Sequence, residues 1–275
     1  MRLDEFSRRL MEAGVSEYKK EAQIFITELF NVSSAELILN RDREYDDLVL
    51  SEIIRKREEK IPLQHIIGRW SFMGDMYKVS PDCLIPRADT EVVVERALKA
   101  LNDGERVADL CTGSGCIGIS ILRNKPKITA TLVDISGKAL VIAEENARAL
   151  GVIDRCEIIS ADVTEDILSG AYDMIISNPP YIKTSDIDGL EKEVKKEPIL
   201  ALDGGDDGLD IIRALLKVCP SHIKSGGYLV LEYGYDQLSE IKSLFDNEIS
   251  NNVFENYEII YDYGKNPRGI IAKKS

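Results

Sequence analysis

The chain has 275 residues, of which 44% are hydrophobic and 30% are charged, an ordinary composition for a globular protein. This composition excludes a disordered, collagen-like or disulfide-stapled chain. The net charge is −13, and all but two of these charges fall in residues 81–275, where no basic stripe could grip a nucleic-acid backbone. The first residues are charged and no apolar run is long enough for a membrane span, so we expect a soluble, cytoplasmic protein without a membrane partner.

Metal-binding residues are few. The five cysteines are scattered, and none forms the paired Cys-x-x-Cys spacing of a zinc site. His65 and His222 are the only histidines, so the sequence offers no obvious imidazole base. We therefore predict reduced cysteines and no metal site, and we disfavour a metalloenzyme or a histidine-dependent hydrolase.

The N-terminal part reads as helical. Apolar residues recur near a period of 3.6 through the first 60 residues, which predicts a small bundle of amphipathic helices, one of them capped by Ser33 or Ser34. Prolines and glycines then punctuate aromatic and apolar residues, which predicts a short hairpin. We therefore expect a helical substrate-recognition domain over 1–70, a hairpin or linker over 71–90 and the main domain over 91–275.

The main domain has an alternating pattern. From residue 106 onward, short apolar runs alternate with amphipathic stretches, which is typical of β-α-β units on a parallel sheet. Residues 226–234 predict a further strand, and residues 257–264 and 268–274 predict two closing strands that form a hairpin at the sheet edge. The fold class is therefore α/β, with a Rossmann-like sheet and a small N-terminal helical bundle.

A glycine-rich loop follows the first of these predicted strands. It contains G-x-G-x-x-G within residues 111–118 and leads into a helix, whose unpaired N–H groups and glycine backbone allow a ligand to approach closely. Asp134 ends the next predicted strand, where its carboxylate can accept hydrogen bonds from ribose hydroxyls. These features predict a nucleoside-containing ligand and leave open whether it is a dinucleotide or S-adenosylmethionine.

A second motif, Asn178-Pro179-Pro180-Tyr181, follows the fourth predicted strand of the sheet. Ligands of open α/β sheets collect at the carboxyl ends of the strands, so the motif should face the same crevice as the glycine loop. Two prolines fix φ and remove two N–H donors, which leaves a stiff corner that presents carbonyl oxygens beside the Asn178 amide. Such a corner can hold a planar amino or amide group.

With these motifs the chain resembles the S-adenosylmethionine-dependent methyltransferases that modify an exocyclic amine or a side-chain amide nitrogen. Over most of residues 60–275 it is similar, more narrowly, to the protein-glutamine methyltransferases of peptide chain release factors. The stretches that carry this resemblance are PLQHIIGRWSFMG at 62–74, LIPRADTE at 84–91, DLCTGSGCIGI at 109–119, SNPPYI at 177–182, EPILALDGGDDGLDIIR at 197–213, GGYLVLEYGYDQ at 226–237 and DYGKNPRGI at 262–270. The chain departs from that family at Cys111, where glycine is common, and at Ala88, where proline is common.

The resemblance implies a class I S-adenosylmethionine methyltransferase sheet, with S-adenosyl-L-methionine as cofactor and S-adenosyl-L-homocysteine as product. The methyl acceptor would be the side-chain amide of the glutamine in the Gly-Gly-Gln motif of class I release factors, the implied protein partners. The implied cofactor-binding residues are Cys111, Thr112, Gly113, Ser114, Gly115, Asp134, Asp162, Val163 and Asn178. The implied substrate-binding residues are Asn178, Pro179, Pro180 and Tyr181, of which Asn178, Pro179 and Tyr181 are the catalytic candidates.

Other functions remain as alternatives. An amino-methyltransferase acting on adenine or guanine in DNA or RNA would present a similar N–H pair to the corner, but the acidic charge of residues 81–275 disfavours it. A binding module that only senses the cofactor has no need of the acceptor corner, and an NAD-linked oxidoreductase is favoured least.

The acidic, glycine-rich residues 203–208 lack the spacing of a calcium loop and predict a turn before a helix capped near Asp207.

Overall fold

The computed structural model describes residues 1–40, 42–165 and 168–275. The chain forms two compact units, one made of Met1–Trp70 with Glu191–Lys196 and the other of Ser71–Leu190 with Glu197–Ser275. The first unit ends where the sequence places the end of the helical domain. The segment Glu191–Lys196 differs from the expectation, since we placed it in the main domain and it packs instead within the helical unit.

The predicted helices of the first unit are confirmed. They are α1 (Leu3–Glu12), α2 (Tyr18–Phe30), α3 (Ser34–Leu39), α4 (Asp47–Glu58) and α5 (Leu63–Ile67). Ser33 caps α3 in a capping box, in which its Oγ accepts the Glu36 N–H at 3.2 Å and the Glu36 carboxylate accepts the Ser33 N–H at 2.9 Å. The apolar faces of the helices meet in one core around Phe6 and Phe25.

A buried charge explains why Glu191–Lys196 packs with these helices. The Arg57 side chain in α4 is 2% exposed and donates to the Glu21 carboxylate at 2.8 and 2.9 Å, to the Ile61 carbonyl at 2.7 Å and to Glu193 at 2.8 Å. Glu193 thus supplies a second carboxylate partner to a guanidinium that is almost inaccessible to water. Because a buried charge must be paired, this interaction fixes the segment on the helical unit.

A short hairpin connects the helical region to the main domain. Its strands are β1 (Arg69–Phe72) and β2 (Asp75–Lys78), and the predicted hairpin is confirmed. The two turn residues, Met73 and Gly74, both have positive φ, as the two-residue turns that match the twist of a hairpin require.

The second unit contains an α/β sheet that has seven strands in the described part of the chain. They are β3 (Arg106–Leu110), β4 (Thr129–Asp134), β5 (Cys156–Ser160), β6 (Tyr172–Ser177), β7 (Ile223–Glu232), β8 (Phe254–Tyr261) and β9 (Pro267–Lys274). Their order is β5-β4-β3-β6-β7-β9-β8, parallel except that β9 runs antiparallel to both of its neighbours. The predicted closing hairpin is confirmed, with β8 at the edge.

Helices cover both faces of this sheet. They are α6 (Ala88–Ala100), α7 (Cys116–Asn124), α8 (Gly137–Ala149), α9 (Asp210–Val218) and α10 (Leu238–Ser250). Successive strand residues alternate between two apolar cores: Val107 lies in the core with α6 and α7, and Ala108 in the core with α9 and α10. Among the described residues, every helix is too short or too polar to span a lipid bilayer.

The chain reverses its direction of travel across the sheet between β3 and β6. From β3 it proceeds through β4 to β5, and it then returns to place β6 on the other side of β3. The last residues of these two strands, Leu110 and Ser177, are register partners, and the Ser177 hydroxyl donates to the Leu110 carbonyl at 2.7 Å. A crevice opens at such a switch point because the two following loops diverge.

Removal of the buried guanidinium should destabilise the helical unit. We expect Arg57→Ala to lower the free energy of unfolding by about 3–5 kcal/mol, because it leaves the Glu21 carboxylate buried without its cation. Arg55→Ala in the same helix is the matched control. Arg55 pairs with Glu52 and Glu59 on an exposed surface, so its loss should lower the unfolding free energy far less than the loss of Arg57. Urea unfolding followed by far-ultraviolet circular dichroism measures both, and equal effects would contradict the account.

Candidate active site

A cavity lies at the carboxyl ends of β3, β4 and β6, within the second unit. It encloses about 1130 Å³ when its open mouth is included, which is room for a nucleoside-sized ligand. Nine of the residues expected at the site line it: Cys111, Thr112, Gly113, Ser114, Asp134, Asp162, Val163, Asn178 and Pro180. The other three, Gly115, Pro179 and Tyr181, are not among the lining residues.

Asp109 in β3 anchors the glycine loop through hydrogen bonds, and we did not predict this role from the sequence. The Asp109 carboxylate is fully buried, and its Oδ2 accepts the Thr112 hydroxyl at 2.6 Å and the Gly118 N–H at 2.9 Å. Gly118 is required here, since a Cβ on it would lie 2.3 Å from the Leu132 side chain. Burial raises the pKa of Asp109 to about 7, although both hydrogen bonds lower it. An acid inside an apolar strand was the signal that could have revealed this anchor.

Asp134 holds the same loop from the neighbouring strand. Its Oδ2 accepts the Gly113 N–H and its Oδ1 accepts the Ser136 N–H, both at 2.8 Å. Burial raises the pKa of Asp134, while these backbone hydrogen bonds lower it. Each carboxylate oxygen has a second lone-pair direction, so Asp134 can still accept hydrogen bonds from hydroxyl groups in the cavity.

The loop backbone explains one departure from the family pattern and one unexpected role. Cys111 has φ of +57°, in the left-handed region that glycine adopts at little cost, which is consistent with glycine being common at this position. Gly115 caps α7 with φ of +81°, and a Cβ on it would lie 2.7 Å from the Ile119 side chain. Gly115 thus permits close packing of the helix and is not among the residues that line the cavity, and its contact with the cofactor stays a prediction.

The Asn178-Pro179-Pro180-Tyr181 corner directly follows β6. The Asn178 amide donates through Nδ2 to the Thr90 hydroxyl at 3.3 Å, while its Oδ1 accepts no hydrogen bond from the residues that the structure describes. Pro179 is buried and Pro180 lines the cavity. The Tyr181 carbonyl accepts a hydrogen bond from the Gln237 side chain at 3.0 Å. Tyr181 is not among the residues that line the cavity, and its packing on the substrate stays a prediction.

The acidic, glycine-rich residues 203–208 pack closely against the backbone of this corner. A Cβ on Gly204 would lie 2.8 Å from the Pro180 carbonyl, and one on Gly208 would lie 2.3 Å from the Tyr181 carbonyl. The Gly204 N–H also donates to the Ile182 carbonyl at 2.8 Å. The stretch is thus a turn, as expected. Asp207 accepts the Leu209 N–H within this turn. The helix α9 begins at Asp210, and its N-cap residue is Leu209, so Asp207 is not the cap.

A further buried acid joins two segments of the cavity wall. Glu197 is buried, accepts the Ile85 N–H at 2.8 Å and pairs with the Arg87 guanidinium. Arg87 and Pro198 both line the cavity. The Glu197 carboxylate therefore joins the segment that contains Ile85 and Arg87 to the segment that contains Pro198. Glu197 begins the stretch 197–213 that resembles the family, but its local sequence pattern indicates no role for it.

The strand order, with the final strand antiparallel, and the cavity at the β3–β6 switch point define a methyltransferase with the class I S-adenosylmethionine-dependent fold. Comparison with protein families agrees. The family described as "Methyltransferase small domain" matches residues 88–196, and the "PrmC N-terminal domain" matches residues 3–68. A solved methyltransferase structure from Pyrococcus furiosus shares the fold, with a TM-score of 0.53 and 15% identity over 72% of this chain and 88% of that one.

Curated relatives identify the family. The release factor glutamine methyltransferase of Moorella thermoacetica is 36% identical over 98% of this chain and 96% of its own length. That of Clostridium acetobutylicum is 34% identical over 96% of this chain and 94% of its own length. The chain therefore belongs to the release factor glutamine methyltransferase family, and it is an enzyme. The family and fold predicted from the motifs are confirmed.

The raised pKa of Asp109 predicts a pH-dependent stability. Between about pH 5 and pH 7 the folded state holds a proton on Asp109 that the unfolded state has released, so the contribution of Asp109 to stability falls as the pH rises. Asp109→Asn removes this proton difference. The unfolding free energy of the variant minus that of the wild type should therefore rise over this range by at most about 1.4 kcal/mol per pH unit, with a smaller slope near pH 7. Urea unfolding at pH 5, 6 and 7 measures the difference, and a constant value would contradict the assignment.

Proposed function

We propose that this enzyme transfers the methyl group of S-adenosylmethionine to the side-chain amide nitrogen of the Gly-Gly-Gln glutamine in class I peptide chain release factors. The observation that carries the proposal is the Asn178 amide at the cavity wall, with Nδ2 engaged by Thr90 and Oδ1 left available as an acceptor. The names of the curated relatives support the same substrate. Asn178, Pro179 and Pro180 are the proposed substrate-binding residues.

The residues around the cavity fit S-adenosylmethionine. The Asp134 carboxylate is a buried anionic acceptor with lone pairs remaining for two ribose hydroxyls. Asp162 directs only Oδ1 to Thr164, which leaves Oδ2 for the adenine amino group, and Val163 offers an apolar flank. The backbone of residues 111–114 would hold the amino-acid part. When bound, this cofactor supplies an electrophilic methyl group on a sulfonium.

The corner compensates for the weak nucleophilicity of an amide nitrogen. The nitrogen lone pair is delocalised into the carbonyl, so reaction depends on orientation and electrostatics. The Asn178 Oδ1 and the Pro179 carbonyl would each accept one N–H of the glutamine amide, which aims the nitrogen and stabilises the positive charge that develops on it. The proton becomes acidic as the nitrogen is alkylated and can leave to solvent, so the scheme needs no histidine base.

We assign contact with the body of the release factor to the helical unit. Three large apolar side chains on α3 and α4, those of Ile38, Leu39 and Leu48, are between 64% and 84% exposed. Large exposed apolar side chains are candidates for contact with a protein partner. Their presence on these helices supports the expectation that residues 1–70 recognise the protein substrate.

Asp134 should contribute to cofactor affinity. We expect Asp134→Ala to weaken S-adenosylmethionine binding by about 1–3 kcal/mol, because charge-assisted hydrogen bonds to the ribose are lost. Asp173→Ala is the control. Asp173 lies near the start of β6, pairs with Lys224 and is not among the residues that line the cavity. Isothermal titration calorimetry measures both affinities. An unchanged affinity of the Asp134 variant would refute the proposed ribose contact.

Asn178 should contribute to the transfer step and much less to cofactor binding. Loss of one preorganised acceptor at a site of developing charge typically costs about 10²–10³ in rate, so we expect Asn178→Ala to slow methyl transfer by this factor. Its affinity for S-adenosylmethionine should stay within about twofold of wild type. Single-turnover kinetics on a class I release factor test this, with Asn247→Ala in α10 as the control. A rate within a few fold of wild type would mean that the corner is only a structural turn.

A further inference from the structure

Two large apolar side chains are exposed beside the cavity, and the proposed mechanism does not use them. Ile199 and Leu200 belong to a short 3-10 helix (Ile199–Ala201), and their exposed fractions are 62% and 56%. Leu200 also lines the cavity, so its side chain lies at the open mouth. Isolated exposed apolar residues are common, but two adjacent ones at the mouth of a ligand cavity indicate a contact with a binding partner.

The segment that carries Leu200 is fixed at both ends. On the N-terminal side, the buried Glu197 carboxylate accepts the Ile85 N–H at 2.8 Å. On the C-terminal side, Leu202 is buried and its carbonyl accepts the Ile182 N–H at 2.9 Å. Because the backbone is held on either side of Leu200, the exposure of this side chain is a fixed feature of the cavity mouth.

Leu200 belongs to the part of the cavity that contains the proposed acceptor corner. In the sheet, β4 and β5 lie on one side of β3 and β6 lies on the other. The proposed ribose contact, Asp134, ends β4, whereas the Asn178 corner follows β6. Ile182, which comes directly after this corner, holds the segment of Leu200 through the Leu202 carbonyl. Leu200 is therefore tied to the corner and not to the strands that carry the ribose and adenine contacts.

We propose that Leu200 is a specificity-determining residue, which selects substrates that have glycine next to the methylated glutamine. This inference rests on the proposed function, since it deepens the recognition of the Gly-Gly-Gln motif. A glutamine side chain has only two methylene groups between its backbone and its amide, so the backbone lies against the cavity mouth when the amide reaches Asn178. A neighbouring glycine leaves room for the Leu200 side chain, which packs on the glycine backbone. A Cβ at that position meets the leucine, so larger residues are excluded sterically.

Changes in both the enzyme and the substrate test this selection. The substrates are a class I release factor and the same factor with the glycine before the glutamine replaced by alanine. From kcat/KM, we expect the wild-type enzyme to prefer the natural factor by about 10- to 200-fold, the usual discrimination for one carbon group in a fitted apolar site. Leu200→Ala should reduce this preference by about tenfold or more, because its shorter side chain leaves room for the added methyl group. Leu200→Val should have an intermediate preference.

Further readouts separate selection from other effects. Any effect of the alanine on the release factor itself is the same for both enzymes, so the change in preference reports on Leu200. On the natural factor, Leu200→Ala should raise KM several-fold and lower kcat far less, because it removes an apolar contact and no acceptor. The Kd for S-adenosylmethionine, measured by calorimetry, should be unchanged. Val141→Ala in α8 is the matched control, since Val141 is 55% exposed and is not among the residues that line the cavity. It should keep the wild-type KM and preference.

The outcomes distinguish this inference from the proposed function. If the wild-type and Leu200→Ala enzymes methylate the glutamine with equal preference for the natural factor, the selection by Leu200 is overturned and the function stands. A marked loss of S-adenosylmethionine affinity in Leu200→Ala would place the residue in the cofactor site and would also overturn the inference. If the wild-type enzyme leaves the glutamine of the natural factor unmethylated, the proposed function itself fails. Should Leu200→Ala fail to fold by circular dichroism, Leu200→Val still decides.

Discussion

The pairing of β3 with β6 is the contact on which the active site depends. These strands are distant in sequence, but their last residues, Leu110 and Ser177, are paired, and the Ser177 hydroxyl binds the Leu110 carbonyl. The glycine loop follows β3 and the Asn178 corner follows β6, so both begin at the carboxyl edge of the same sheet, within the second unit. The register of these two strands therefore brings the cofactor wall and the acceptor corner together.

Buried carboxylates then fix each part of the wall. Asp109 and Asp134 hold the backbone of the glycine loop, and Glu197 holds the segment around Ile85. Each acid is desolvated, and this cost is offset only where the surrounding N–H and O–H groups supply good hydrogen bonds. The result is a rigid cavity, which methyl transfer to a weakly nucleophilic amide requires, since small errors in position strongly reduce the rate.

The features that could be predicted from the sequence are those that depend on residues close together in the chain. Helical periodicity, the Ser33 cap and the alternation of strands and helices depend on near neighbours, and the Asn178 motif has residue types with a distinctive chemistry. Asp109 was missed because an acid in a strand is usually exposed; its apolar strand neighbours were a signal of burial, and the folded sheet shows that it is buried. The place of Glu191–Lys196 could not be foreseen either, since it depends on Glu193 pairing with Arg57, 136 residues away. The supporting role of Gly204 and Gly208 is likewise visible only when the backbone they contact is in place.

The identity of the methylated atom tests the account most directly. The purified enzyme would be incubated with methyl-labelled S-adenosylmethionine, a class I release factor and total RNA in one reaction, and the labelled peptides would be sequenced by mass spectrometry. A second reaction would contain the same release factor with its Gly-Gly-Gln glutamine replaced by asparagine. We predict one methyl group on the side-chain nitrogen of that glutamine, and none in the replaced factor or in RNA. Label in RNA, or label that persists in the replaced release factor, would contradict the account.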